Sequence, residues 1–327
     1  MGKNKEKPLK YYYGIPHCHS SFSTGEGTPY NAFDYGKNNG LDFLIITDHN
    51  SYLSKELLIN NKKISRWMTT EIMRDKFKKN SNNFLPLIGF ETKTYSYGDF
   101  NVINPSTFFT GIVRDLNLLV LWMLNNPDSI ITINHPHKNI NFLDYNELLN
   151  KLITSVEVGN GSYPNKYVRY DNYYYNLLDK GWKLGAINGQ DNHKVNFGDS
   201  ENLTVFLATD LDSKNLIDAF RTRKTYSTES RFLKMHFTIN GVFMGDEIKE
   251  RTNTLQFMIF AEDTKVKITS IEIITNKGVI VKRIDSLNLN SIKYMYNHKR
   301  EENESWYLIK IYQEGKKLSI SSAIFLK

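Results

Sequence analysis

A chain of 327 residues with 24% charged and 40% apolar side chains is neither a small stapled scaffold nor a disordered polymer. The net charge of +7 is spread along it, +4 in residues 232–327 and +3 in the rest, so the concentrated basic face of a nucleic-acid reader is not expected. The longest apolar run, from Leu116 to Leu124, is interrupted by Asn117 and falls short of the roughly 20 residues that cross a bilayer. A single cysteine, Cys18, excludes an internal disulfide and a thiolate metal cluster, so any metal ligands must be His and carboxylate. The basic start, Met1 to Lys10, runs into Tyr11, Tyr12 and Tyr13 instead of an apolar segment, so no secretory signal is read and the cytoplasm is the expected compartment.

In chain order, short apolar runs alternate with longer polar-apolar segments, the signature of strand-helix units feeding a parallel sheet. The expected strands are Tyr13–His17, Leu41–Thr47, Leu85–Glu91, Ile130–Asn134, Ser155–Val158, Lys183–Ile187 and Asn202–Ala208. Helices are expected from Pro29 to Asn39, where Thr28 and Pro29 make a start and Gly40 a stop, and within Ser54–Lys79, Val113–Leu124, Asp144–Lys151 and Lys166–Lys180. Ser213 starts another, over Lys214–Arg221. Seven strands with helices between them predict a closed or nearly closed barrel.

Beyond about Arg231 the pattern turns to period two, as in Met235, Phe237, Ile239 and in Leu255, Phe257, Ile259, with turns at Asn240-Gly241, Asn276-Lys277-Gly278 and Glu314-Gly315. The expectation is an N-terminal tail over 1–11, an α/β barrel over 12–230 and a small all-β, sandwich-like domain over 231–327, packed directly on the barrel.

Of eight histidines, six lie in four clusters at or just past a predicted strand end, where parallel barrels build their sites. These are His17-Cys18-His19, Thr47-Asp48-His49, Asn134-His135-Pro136-His137 and Asp191-Asn192-His193, and Glu91 ends another strand. Residues two apart on an extended chain face the same side, so His17 and His19 can reach one ion. Strand ends that all offer His, Asp or Glu would otherwise gather unpaired polar groups at one mouth, a cost that divalent cations remove. Asp48 can either orient the His49 ring or cap the next helix, and His137 is expected outside the site.

The ordered set HxH, TDH, Glu, His, DxH, within "HCHSSFSTGEGTP" and "LDFLIITDHN", resembles the polymerase and histidinol phosphatase (PHP) family over residues 12–230. "KTYSTE" at Lys224–Glu229 and "FTINGVFMGDEI" at Phe237–Ile248 are similar to its carbamate-hydrolase-like branch, in which a small β domain follows. The resemblance implies a distorted (β/α)7, TIM-like barrel holding two to three Zn, Mn or Fe ions. It implies that His17, His19, Glu91 and Asp191 hold one ion, that Glu91 bridges to a second shared with His135, and that His49 and His193 form the core of a third site. Asp99 stands where the family has a second-site His. Thr24 stands where it has an acidic residue or His, and Glu26 is the nearby substitute.

The expected activity is hydrolysis of a phosphate ester by a metal-bridging hydroxide, with Asp191 orienting the water and His193 protonating the leaving group. A small phosphorylated substrate is the expected partner, with Lys138, Asn160 and Lys194 as its binding residues and Lys93 and Arg169 as further cations at the barrel end. Hydrolysis of a non-phosphorus ester or carbamate by the same centre is the alternative, and a catalytically degenerate barrel acting as a binding module is the third reading. The sequence leaves the oligomeric state open.

Overall fold

The computed structural model of the protein describes residues 7–250 and 252–327. Strand β1 (Lys10–Ile15) leads to helix α1 (Pro29–Asn38), which begins where Thr28 and Asn31 cap each other. Asn31 N donates to Thr28 Oγ1 at 3.2 Å, and Thr28 N donates to Asn31 Oδ1 at 3.0 Å. β2 (Phe43–Ile46) is buried along its length, as an unbroken apolar run must be in a sheet covered on both faces.

The helix expected within Ser54–Lys79 occupies its second half, and a hairpin fills the first. After one turn, α2 (Asn50–Leu53), the chain makes the hairpin β3 (Glu56–Ile59) and β4 (Lys62–Ser65), and α3 (Arg66–Asn80) follows. Asn60 and Asn61 take φ of 49° and 61°, the left-handed pair a two-residue hairpin turn needs, and Ser65 Oγ accepts from Met68 N to cap α3. β5 (Leu85–Thr94) is followed by an unanticipated strand, β6 (Gly98–Ile103). After α4 (Leu116–Met123), β7 (Ile130–Ile133) pairs antiparallel with β6 on the edge opposite β5. Then come α5 (Glu147–Leu152), β8 (Ile153–Asn160), β9 (Val168–Arg169), α6 (Asp171–Asp179), β10 (Gly185–Gly189) and β11 (Leu203–Ala208). α7 (Ser213–Arg221) is capped by Asp212, one residue before the serine expected to start it, and β12 (Thr225–Thr228) ends the series.

The ladder order is β10-β8-β7-β6-β5-β2-β1-β11-β12, with β1/β2, β2/β5, β7/β8 and β8/β10 parallel. Of the closed or nearly closed barrel expected, closure is not found: the sheet stays open between β10 and the β11–β12 pair. Side chains bridge that gap. Asn188 N donates to Thr204 Oγ1 at 2.8 Å, Thr204 Oγ1 donates to Asn188 O at 2.8 Å, and Asn188 Nδ2 reaches Thr228 O at 3.0 Å. Thus the backbone groups on that edge are paired without a ladder.

The remaining strands are β13 (Leu233–Ile239), β14 (Val242–Phe243), β15 (Glu247–Ile248), β16 (Thr254–Asp263), β17 (Ile268–Thr275), β18 (Val279–Ile284), β19 (Ser291–Lys299), β20 (Trp306–Gln313), β21 (Lys317–Ser321) and β22 (Ile324–Leu326). β14-β13-β16-β19 form one antiparallel sheet, while β21-β20-β17-β18 continue the main sheet through the β12/β21 ladder. Phe237, Phe257 and Ile259 from the first pack with Ile271, Ile309 and Ile311 from the second. No flexible linker separates the two parts: Val205, Leu207 and Tyr226 share that apolar cluster, and Trp306, Leu308 and Ile320 belong to the cluster under the first part. Among the described residues, no helix is long and apolar enough to cross a membrane.

Candidate metal centre

β1 delivers His17 and His19 to one side of the chain, while Cys18 between them turns into the core and its thiol donates to Ile45 O at 3.3 Å. The strand ends are tied to one another by backbone. Asp191 N donates to His17 O at 3.0 Å, His19 N to Asn192 O at 3.0 Å, and Glu91 N to Asp48 O at 3.2 Å. His135 and Asp191 take φ of 24° and 49°, left-handed values that non-glycine residues hold only where surrounding contacts impose them.

Glu91, almost fully buried, is the hub. Its carboxylate lies 3.4 Å from His17 Nε2, 3.4 Å from His19 Nε2, 2.9 Å from His49 Nδ1 and 3.2 Å from His135 Nε2, and Asn134 Nδ2 donates to it at 2.9 Å. Asp191 Oδ1 lies 3.0 Å from His19 Nε2 and 3.4 Å from His17 Nε2. Three groups bring ligand atoms within 4.8 Å of one another: His17, His19, Asp191; His17, Glu91, His135; and His19, His49, His193. Asp99 is in none of them; it sits two β6 positions from the Glu91 level, opposite Lys93, and burial followed by the nearby Glu91 charge pushes its pKa up. Thr24 is exposed, and Glu26 is held at the surface by Lys194, so neither joins the His49 and His193 group.

The charges are interdependent. Burial disfavours the charged form of every group here, yet for Glu91 the surrounding His17, His135 and His19 outweigh it and hold the carboxyl well below the usual range. Asp191 is likewise held down to about 2, against burial, by His17 and His19. In return burial is outweighed at His17, which Glu157, Glu91 and Asp191 raise well above an ordinary imidazole, and at His19, which Asp191 and Glu91 raise to about 9. His193 is lowered, by burial and then by the His19 charge. The carboxylates therefore sit where positive charge is required, and imidazole protons and divalent cations compete for that position.

Two residues whose roles the sequence did not disclose hold the ligands. Glu157, on β8 and fully buried, accepts from His17 Nδ1 at 2.8 Å, from His135 N at 2.6 Å and from Asn160 Nδ2 at 2.7 Å. Because Nδ1 donates to Glu157, Nε2 is the His17 nitrogen left to face the site, where a cation can replace its proton. Gly189 makes room for it, since a Cβ there would lie 1.9 Å from Glu157 Oε1. Asp48 neither orients His49 nor caps the next helix. It accepts from Ser20 N at 2.8 Å and from Ser20 Oγ at 2.5 Å, and also from Ser23 Oγ, which stands 3.4 Å from His19 Nδ1.

The expected substrate-side residues fare unevenly. Asn160 is buried beneath His17, occupied with Glu157, and does not line the mouth. Lys194 is committed to Glu26, and Arg169 to Glu229 in a two-point pair at 2.5 and 2.7 Å. Lys138 is exposed, as is Lys93, two residues beyond Glu91 on the same face of β5. His137 stays outside the centre, capping a 3₁₀ turn over Lys138–Phe142 by accepting from Asn139 N at 3.3 Å.

The residues fit divalent cations. His17 Nε2 and His19 Nε2 are fully buried, make no well-aligned hydrogen bond and face the Glu91 and Asp191 carboxylates, a position that a divalent cation can take in place of the imidazole protons. Imidazole and carboxylate donors in this mixture suit zinc, iron or manganese.

No family model matches the sequence, and no curated protein matches it. Among solved structures, the chain is similar to a two-domain protein from Bacteroides vulgatus that contains a predicted PHP-like metal-dependent phosphoesterase, at 14% identity over 95% of both chains with a TM-score of 0.53. An amidohydrolase from Chromobacterium violaceum, with bound sulfate and no metal, aligns at 12% identity over 54% of this chain and 86% of its own, with a TM-score of 0.35. The chain thus shares its fold with that two-domain protein.

Proposed function

We propose that the chain is a metal-dependent hydrolase whose substrate is a small phosphate ester. The observation that carries this reading is the pair of buried nitrogens, His17 Nε2 and His19 Nε2, that face the Glu91 carboxylate together with His49 and His135. His17, His19 and Asp191 would hold one ion, Glu91 and His135 a second beside it, and His49 and His193 a third, with His17 Nε2 serving one ion only because its Nδ1 is committed to Glu157. Bound there, divalent cations supply electrophilic activation of the ester and ionisation of water near neutral pH.

The chain's own groups do the rest. Asp191, partly open to the mouth, faces incoming solvent with a carboxylate that stays ionised across the working pH range and can orient a water molecule. His193 Nδ1 donates to Asp191 O at 2.8 Å, so its neutral ring offers a bare Nε2, and its lowered pKa suits ligation better than proton donation. Lys93 and Lys138 are the exposed cations left to meet an anionic substrate.

The test is metal analysis of the purified chain together with turnover of p-nitrophenyl phosphate and bis-p-nitrophenyl phosphate in added manganese or zinc. Two or more ions per chain with turnover support the reading, and no turnover with any metal refutes it. The commitment of Lys194 and Arg169 to glutamates favours, as a second reading, a substrate with less negative charge, either a non-phosphorus ester or a carbamate. Release of alcohol or amine without phosphate from a substrate panel decides for it.

A further inference from the structure

The register of β6 against β5 decides which side chains share the mouth with the metal centre. Glu91 stands opposite Asn101, and Lys93 opposite Asp99. Residues directly opposite in an antiparallel pair lie on one face, as do residues two apart along a strand. Asp99 and Lys93 therefore sit on the Glu91 face, one level further out toward the mouth. The groups whose charge Asp99 feels are Glu91, two of the imidazoles around it, His135 and His49, and Lys93. As it stands the placement is unfavourable. Asp99 is half-buried near the like charge of Glu91, and among the described residues neither its carboxylate nor the Lys93 ammonium has a hydrogen-bond or ion-pair partner, the two not reaching each other. A desolvated carboxylate without a donor is costly, and here no candidate metal group takes it up. Other charges of this end are already spent within the chain, Lys194 on Glu26 and Arg169 on Glu229. The mouth thus holds an acceptor and a donor that neither the ions nor the fold employs.

We propose that Asp99 and Lys93 form the subsite for the alcohol part of the ester, and that this alcohol carries further hydroxyl groups, as a polyol or a sugar does. The proposal rests on the phosphate-ester reading above. The phosphoryl group belongs at the ions, so the level outside them meets the rest of the substrate. A carboxylate only accepts, so Asp99 selects a group that donates. Hydroxyl and ammonium groups both donate, and Lys93 decides between them. An ammonium at Asp99 would meet a second cation across the ladder, whereas a hydroxyl donates to Asp99 and accepts from Lys93 at once. A carboxylate on the leaving group would meet the like charge of Asp99. A plain alkyl alcohol would cover Asp99 and leave it without a donor.

Phosphonates, which cannot be hydrolysed, make the test independent of turnover. 3,4-Dihydroxybutylphosphonate and butylphosphonate differ only in the two hydroxyls. Calorimetric titration of the full chain loaded with manganese should show the diol binding roughly 10- to 100-fold tighter, the range that hydrogen bonds to charged groups supply. Asp99→Ala should bring the two affinities together while bound manganese, by elemental analysis, stays at the parent's level. Asp99→Asn keeps an acceptor oxygen and should restore part of the difference. Equal affinities in the parent, binding of neither compound, an undiminished difference in Asp99→Ala, or loss of manganese from that variant each overturns the proposal, the last by making Asp99 a metal ligand. Tighter binding of 4-aminobutylphosphonate than of the diol also overturns it and assigns the subsite to an amino alcohol. Diol selectivity in a chain that hydrolyses no phosphate ester upholds the subsite and refutes the hydrolase reading, whereas turnover of phosphate esters without selectivity does the reverse.

Discussion

Glu157→Gln is the most informative single change, because it alters one atom of a buried carboxylate that no solvent can reach. The native oxygens meet three donors: His17 Nδ1 on Oε1, and His135 N and Asn160 Nδ2 on Oε2. The new amide has one oxygen and one NH2. Placing the NH2 at the Oε2 position sets it against two donors, whereas placing it at Oε1 sets it against one, His17. The second arrangement costs less, and it forces His17 to carry its proton on Nε2, where the lone pair for a metal was. Losing the carboxylate behind a metal-binding His typically lowers affinity 10- to 100-fold, about 1.4–2.8 kcal/mol. Competition against a fluorescent chelator should therefore show weakened binding at the groups containing His17, while the His49 and His193 group keeps its ion. Parental affinity at every site in a folded Glu157→Gln protein would refute this reasoning.

Gly189→Ala should reproduce that loss without touching a polar group, since the added methyl displaces Glu157; equal metal loading of variant and parent in elemental analysis counts against it. Glu91→Ala should abolish turnover and release more than one ion, leaving far-ultraviolet circular dichroism near the parent's; retained activity would remove Glu91 as the hub. The pH dependence of the metal-free protein has a definite sign. With its folded pKa raised to about 9 from an unfolded value near 6.5, His19 stabilises the metal-free fold fully below about pH 6.5 and loses that contribution as pH rises through about 9. Chelator-treated protein should thus melt lower at pH 9.5 than at pH 7, and saturating manganese should flatten the difference; identical melting at both pH values without metal would contradict it.

Much of this was legible in the sequence, for a physical reason. Parallel strands buried on both faces are apolar runs, unbroken in Phe43–Ile46 and interrupted only by Thr132 in Ile130–Ile133, and the ligands follow each run closely in the chain. The rest depends on partners far away in sequence. Glu157 meets His17 across 140 positions, so nothing local marks it as more than a polar residue in a strand. Asn160, expected at the mouth, belongs to the same buried contact, and Lys194, expected on substrate, is claimed by Glu26, 168 positions away. β6 escaped because Asp99 and Asn101 interrupt its apolar residues, and the open seam beside β10 is a matter of register that no single strand reveals.

The β12/β21 ladder reaches past geometry to cooperativity. A cut after Ser230 would strip Tyr226, Ser227 and Thr228 of their ladder to β21 and bare Val205 and Leu207, creating an edge of the kind that recruits other chains. The two parts are therefore expected to melt in one transition. Any change that loosens β20 or β21 is then felt at the ends of β1 and β10, and the residues that would grip the ions borrow their rigidity from strands more than a hundred positions away.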